Sequence, residues 1–150
     1  MRSHKEIYTI NSKKEIIFNV IANIENYPKF LPWCVGARII ETRKLSDIIF
    51  QKAELVIAFK SFRESFLSNI KLNRNNWAIN ISSNTKPFKS LKGCWVIHEK
   101  ENKCEVSFEI QFEFKSIILE KIIGFVFFKA VKSIVKAFEE QCFKNEKLIS

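Results

Sequence analysis

The chain has 150 residues, 47% of them hydrophobic and 27% charged, with three glycines and three prolines; this excludes a low-complexity or linker-built chain and suits one domain over 1–150 with a substantial core. Its formal net charge of +9 points to an anionic partner, either a negatively charged membrane surface or a nucleic acid, without choosing between them.

Residues 4–10 alternate and predict a first strand, centred on Ile7 and Tyr8. Asn11 and Ser12 are placed to cap a helix over 13–24, whose apolar stripe is Ile16, Ile17, Val20, Ile21 and Ile24. Residues 25–34 hold two prolines and four large apolar side chains, which predicts a short helical turn or compact loop. Strands are expected over 35–44, 48–59, 62–72, 77–83, 95–100 and 104–114. Short polar connections at 45–47, 73–76 and 101–103 favour hairpins, hence a mostly antiparallel meander. Residues 84–93 are expected to be the longest irregular connection, folded back on Pro87, Phe88 and Leu91.

The last strand alternates most cleanly, with Val106, Phe108, Ile110, Phe112 and Phe114 against Ser107, Glu109, Gln111 and Glu113. The same counting turns Ala53, Leu55, Ile57 and Phe59 inward. On the next strand it puts Glu64 on a face with Phe62, Phe66 and Ile70. A carboxylate in an apolar layer must be paired, hydrogen-bonded or protonated; the alternatives are a bulge that turns it out, or a partner such as Arg63 or Arg38.

A terminal helix is predicted over 116–147. In its second half Ala130, Val131, Ile134, Val135, Ala137, Phe138 and Cys142 share one side. In its first half apolar residues surround the axis, broken by Glu120 and Lys121. A membrane span needs roughly 20 predominantly apolar residues, and charges at 120, 121, 129 and 132 interrupt this stretch. The expectation is therefore a helix whose second half packs on the sheet and whose first half lines or gates an apolar cavity, with a bend or close approach at Gly124.

Motifs for chemistry are sparse. His4 and His98 lack metal-ligand spacing, Cys34, Cys94, Cys104 and Cys142 form no CxxC pair, and there is no Gly-rich phosphate loop or nucleophile elbow. No metal and no catalytic residue are expected, and the cysteines read as free thiols of a reducing compartment. MRSHKEIYTI at the start carries no apolar signal segment, which predicts a cytoplasmic protein or one peripheral on the inner face of the cytoplasmic membrane. The phenylalanines take buried positions rather than forming an exposed stacking platform, and DNA is not an expected partner.

Several stretches together resemble a known family. Tyr27-Pro-Lys-Phe-Leu-Pro-Trp-Cys34, 53–59 (AELVIAF), 62–66 (FRESF), Pro87-Phe88 with Leu91 and Trp95, 112–116 (FEFKS), Gly124 and 137–139 (AFE) are similar to the coenzyme Q-binding proteins of the START-domain (polyketide cyclase and lipid transport) superfamily. Relatives usually continue Gly-Pro where this chain has Gly124-Phe125, and have glycine where it has Lys86.

The resemblance implies an α+β helix-grip (START-like) fold, a curved antiparallel sheet of about seven strands wrapped around the long C-terminal helix, with two short helices after the first strand. It implies non-enzymatic binding of ubiquinone or a similar polyprenyl quinone or lipid, in support of quinone biosynthesis or delivery to the respiratory chain, with no cofactor beyond that ligand. Leu55, Ile57, Phe59, Phe66, Trp95, Phe112, Phe114, Ile118, Ile122 and Phe125 are the expected lining, Phe30, Leu31 and Trp33 the gate, and Glu64 a polar contact. Lysines near the mouth are expected to touch anionic membrane transiently. The family also includes ribosome-association toxins, which implies as the alternative a protein that binds a ribosomal subunit and blocks subunit joining. An enzyme acting on a polyketide-like substrate is a third reading, resting on the superfamily's name.

Overall fold

The computed structural model describes residues 1–59 and 61–149, with residues 124–128 and 146–149 given as helix backbone only. In chain order the elements are β1 (Arg2–Ile10), α1 (Lys14–Ala22), a 3₁₀ turn (Ile24–Lys29), β2 (Cys34–Leu45), β3 (Ile48–Phe59), β4 (Phe62–Asn73), β5 (Ala78–Ser83), β6 (Phe88–Lys100), β7 (Lys103–Phe114) and α2 (Ile117–Ile149).

The strands form one antiparallel sheet in the order β1-β7-β6-β5-β4-β3-β2. From β2 to β7 each strand pairs with its successor in the chain, as short polar turns dictate. β1 breaks this rule by pairing with β7, from Arg2 opposite Phe112 to Ile10 opposite Cys104. Residues 11–33 must then carry the chain from one edge of the sheet to the other. They do so with α1, which touches α2 and β6, and with the 3₁₀ turn, which lies against β2. The helix-grip arrangement implied by the resemblance is the one observed.

Period-two alternation puts the apolar side of every central strand on the face that α2 covers. Ala53, Leu55, Phe66, Ile70, Ile79, Trp95, Val106 and Phe108 are buried there with Val131, Val135, Phe138 and Cys142 of α2 and Ile16, Ile17, Phe18, Val20 and Ile21 of α1. Phe138 is the hub, with ring centroids of Tyr27 and Phe30 at 5.4 Å and of Trp95 at 5.2 Å, all edge-on.

The start of α2 is fixed by polar contacts. Leu119 N donates to Ser116 Oγ at 3.3 Å, capping the first turn. The Glu120 carboxylate accepts from Phe114 N at 2.8 Å and pairs with Arg2 Nε at 3.4 Å. These bonds join the end of β7, the beginning of β1 and the helix.

Four expectations need correction. β6 begins at Phe88 rather than 95, because a register shift between Phe88 and Ser90 lets Phe88 and Leu91 both face inward at a spacing of three, which hides the alternation; the irregular connection shrinks to 84–87. α1 stops at Ala22, since Asn23 leaves helical geometry and the 3₁₀ turn with Pro28 follows. Its N-cap position is Lys13, which makes no side-chain cap bond, rather than the expected Asn11 or Ser12. Trp77 sits in the β4–β5 turn with a φ of 53° and lies outside β5. The bend expected at Gly124 lies outside the described residues.

Because the Phe138 ring joins α2 to both Tyr27 of the 3₁₀ turn and Trp95 of the sheet, Phe138→Ala is expected to destabilise the fold by about 3–5 kcal/mol. Urea denaturation should show a lower midpoint with an unchanged m-value; a loss under about 1 kcal/mol would show that the ring cluster is not the anchor.

Candidate functional site: an apolar cavity under the terminal helix

Between its start and Phe138, α2 does not close onto the sheet. A cavity of about 240 Å³ lies there. β3 contributes Leu55, Ile57, Ala58 and Phe59, and β4 contributes Phe62, Phe66 and Ser68. Ile81 of β5, Leu91, Gly93 and Trp95 of β6, and Phe108, Ile110 and Phe114 of β7 continue the wall. α2 closes it with Ile123, Ile134 and Phe138, and the segment before β2 with Tyr27, Leu31, Pro32, Trp33 and Cys34. None of these side chains is charged.

The wall follows from strand register. Leu55 faces Phe66, Ile57 faces Glu64 and Phe59 faces Phe62, so one face of the β3–β4 hairpin is apolar along most of its length. At the far end Phe66, Phe88 and Phe114 form a ring cluster with centroids 4.9 and 5.0 Å apart. Trp95 stacks on Phe108 at 4.1 Å. Rings held by rings leave a rigid surface.

Trp33 turns the chain into β2 with a φ of 67°, a left-handed conformation that costs a bulky residue of order 1–3 kcal/mol. It is held there by Ala58 N, which donates to Trp33 O at 2.9 Å, and by Phe59, whose ring lies edge-on at 5.1 Å. Such a fixed indole suits one side of an entrance.

The polar atoms in the wall are few. Tyr27 is buried and its hydroxyl donates to Ile21 O; burial pushes its ionisation up. Cys34 Sγ donates to Gly36 O at 3.5 Å, and burial pushes its thiol up, which keeps it neutral and weakly nucleophilic. Ser68 is fully buried, and its hydroxyl has no hydrogen-bond partner among the described residues. Among the described residues the wall offers neither an acid–base pair nor a nucleophile beside a base, and no group of metal-ligating side chains occurs.

Of the expected lining and gate residues, Leu31, Trp33, Leu55, Ile57, Phe59, Phe66, Trp95 and Phe114 border the cavity. Phe30 and Phe112 do not: Phe30 packs on Tyr27 and Phe138, and Phe112 on Phe114. Ile118 and Ile122 are corrected outright, since they are 71% and 45% exposed on the outer side of α2, away from the cavity. The all-round apolar composition of that segment gave no means of telling inner from outer side; Leu119 and Ile123 take the inner one. Phe125 lies outside the described residues.

Glu64 follows Ile57 in register as expected, but its side chain is 32% exposed and outside the cavity wall. Its partner is Lys86 at 4.0 Å, rather than Arg63 or Arg38; Arg38 pairs instead with Glu54 at 3.3 Å. Sequence counting passed over Ser68, although it is the small polar residue that interrupts the inward series Phe62, Phe66, Ile70 and Leu72 of β4. It also passed over Leu91 and Gly93, which the bulge conceals.

The family model described as polyketide cyclase / dehydrase and lipid transport matches residues 11–139. A ribosome association toxin, RatA, from Rickettsia prowazekii (strain Madrid E) is 33% identical over 141 residues, covering 92% of each chain. Coenzyme Q-binding protein COQ10 homolog B, mitochondrial, from Xenopus laevis is 27% identical over 131 residues, covering 85% of this chain and 52% of that protein. Among solved structures, the 18 kDa protein CC1736 from Caulobacter crescentus superposes with a TM-score of 0.82 at 24% identity, over 98% of this chain and 99% of that one. With sequence, sheet order and cavity in agreement, this chain belongs to the polyketide cyclase / dehydrase and lipid transport family.

Proposed function

We propose that the chain, acting as one lipid-binding domain, takes a neutral and largely apolar molecule of the polyprenyl quinone class into this cavity and holds or hands it on without converting it. The observation that carries this is the uncharged, ring-lined wall. Apolar surface moved from water into it is stabilised by roughly 25 cal/mol per Å², while an anionic ligand would leave an unpaired charge in a low-dielectric space. A volume near 240 Å³ suits a ring and the beginning of a chain, so a long prenyl tail leaves through the mouth beside Trp33. The name of the coenzyme Q-binding relative supports the same ligand class. Support of quinone biosynthesis, or delivery of the quinone to the respiratory chain, is the role that fits such binding.

Protein purified from cells is expected to yield a prenyl quinone or related prenyl lipid on organic extraction, and added short-chain prenyl quinone should raise its melting temperature. Ile57→Trp, which projects an indole into the cavity, should abolish both effects while the protein stays folded. Extracts free of prenyl lipid, together with no thermal shift, would overturn the proposal.

Delivery requires contact with a bilayer, and the first turns of α2 offer a surface for it. Ile117, Ile118 and Ile122 are 76%, 71% and 45% exposed beside the exposed Lys115 and Lys121. The acid in that segment, Glu120, is turned inward to Arg2 and Phe114 N. Three bare isoleucines flanked by cations match the acyl and headgroup layers of an anionic membrane, such as the inner face of the cytoplasmic membrane. Among the described residues no helix is long and apolar enough to cross one. The protein is expected to float with vesicles containing about 30% anionic lipid and not with neutral vesicles, salt weakening the binding. Replacing the three isoleucines by serine should lower the bound fraction about tenfold; a variant that binds as well as the native protein would remove this surface.

A second reading has its own support in the relative named for ribosome association, which matches along nearly the full length of both chains, and in the net charge of +9. On that reading the protein binds a ribosomal subunit and blocks subunit joining. It is expected to sediment with isolated subunits and to come off steeply with salt; no co-sedimentation at low salt would exclude it.

A further inference from the structure

Among the described residues three polar side chains are buried, Ser12, Ser68 and Ser83. Folding pays for the burial of a hydroxyl only where it is hydrogen-bonded, and Ser83 follows the rule: its Oγ donates to Leu67 O at 2.6 Å. Ser68, one strand away on β4, does not. It is 0% exposed, its Oγ meets no partner among the described residues, and it borders the cavity. The other hydroxyl and thiol in the wall are already committed, Tyr27 to Ile21 O and Cys34 to Gly36 O.

We infer that Ser68 is the polar anchor of the cavity and that its hydroxyl donates a hydrogen bond to a carbonyl oxygen on the bound molecule. This deepens the cavity reading above and rests on it. Ser68 stands opposite Ala53 on β3 and inward with Phe66 and Ile70. Ala53 is fully buried and small, and Ser68 itself has no open surface in the free protein, so the hydroxyl meets the ligand once the bound molecule spreads the wall beside it. A hydroxyl can donate once and accept twice, and in a wall without charge it selects a neutral oxygen over a carboxylate. The ligand class is therefore an apolar molecule with a carbonyl-bearing head, oriented head toward Ser68 and tail toward Trp33. A quinone ring has this chemistry, and so does a polyketide-type ketone.

The two contributions to binding separate accordingly. Apolar contact with the wall gives affinity to any greasy molecule of the right width, whereas the Ser68 hydroxyl discriminates between molecules with and without the oxygen. In the free protein the same hydroxyl is a cost.

The test compares the native protein with Ser68→Ala, titrating each with a short-chain prenyl benzoquinone, with an aromatic ketone of similar size, and with a prenylbenzene of the same chain length lacking ring oxygens; quenching of Trp33 and Trp95 fluorescence reports binding. Ser68→Ala is expected to weaken the carbonyl ligands about three- to tenfold, to change prenylbenzene binding less than about twofold, and to raise the melting temperature of the free protein by a few degrees. Which carbonyl ligand the native protein binds more tightly tells the quinone from the ketone.

An equal loss for all three ligands would make Ser68 a shaping residue and overturn the inference, as would unchanged binding of the carbonyl ligands. A fall in the melting temperature of the free variant would mean that the hydroxyl already has a partner, and would overturn it too. If the native protein binds none of the three, the cavity reading itself fails and takes this one with it; if prenylbenzene binds and Ser68→Ala changes nothing, the cavity reading stands and the anchor alone is lost.

Discussion

The structure depends on how α2 is held on either side of a gap. At one end the Glu120 carboxylate bonds Phe114 N and Arg2; at the other the Phe138 ring is wedged among Tyr27, Phe30 and Trp95. Eighteen residues separate these anchors, about 27 Å of helix at 1.5 Å per residue. A helix fixed at both points over a twisted, curved sheet cannot follow its surface all along the interval between. The side chains that α2 sends into the interval from described positions, Ile123 and Ile134, are of medium size and stand about 16 Å apart. The cavity is thus a consequence of where the anchors are.

The polar groups follow the same division. Ion pairs and capping bonds gather at the ends of elements, as with Glu120, and on the sheet's outer rows, where Lys100 meets Glu105 and Lys89 meets Glu113. The wall of the gap receives rings, aliphatic groups and three neutral polar residues. Burial raises the pKa of Tyr27 and of Cys34, so neither carries charge near neutral pH. Among the described residues, the surface of this space is therefore neutral and almost wholly apolar.

Much of the fold was legible in the sequence, for definite reasons. β7 could be read because Val106 to Phe114 keeps strict alternation, and the β3–β4 hairpin because Phe59 and Phe62 close a tight turn with matching faces. β6 was misread where a bulge shifts Phe88 against Leu91: a period-two reading cannot survive an inserted residue. The site was legible where it lies on β3 and β4, and not on the first turns of α2. There Ile117, Ile118, Ile122 and Ile123 are all apolar, and only the direction set by Glu120, bonded to Phe114 N, decides that Ile123 faces the cavity and the others do not. Glu64 drew notice as a charge in an apolar series, yet near the start of β4 it stays partly exposed and pairs with Lys86. Ser68 drew none, because a serine among phenylalanines is unremarkable in sequence and becomes conspicuous only when its hydroxyl is found fully buried without a partner.

The opening turns of α2 are apolar on both sides, and this joins the two halves of the proposed function. Leu119 and Ile123 look inward while Ile117, Ile118 and Ile122 stand bare outside. An exposed isoleucine is unfavourable on a helix meant only for solvent, and three within two turns form a patch of the kind that marks an interaction surface. If a bilayer covers the outer side, the wall separating acyl chains from the cavity is one helix thick. A tail too long for about 240 Å³ then passes between lipid and protein across the same few residues that close the cavity, without crossing water. The anchor at Glu120 is an ion pair with Arg2 at 24% and 38% side-chain exposure, which is weaker than the ring cluster at Phe138. The anchor beside the exposed isoleucines is thus the weaker of the two that bound the gap.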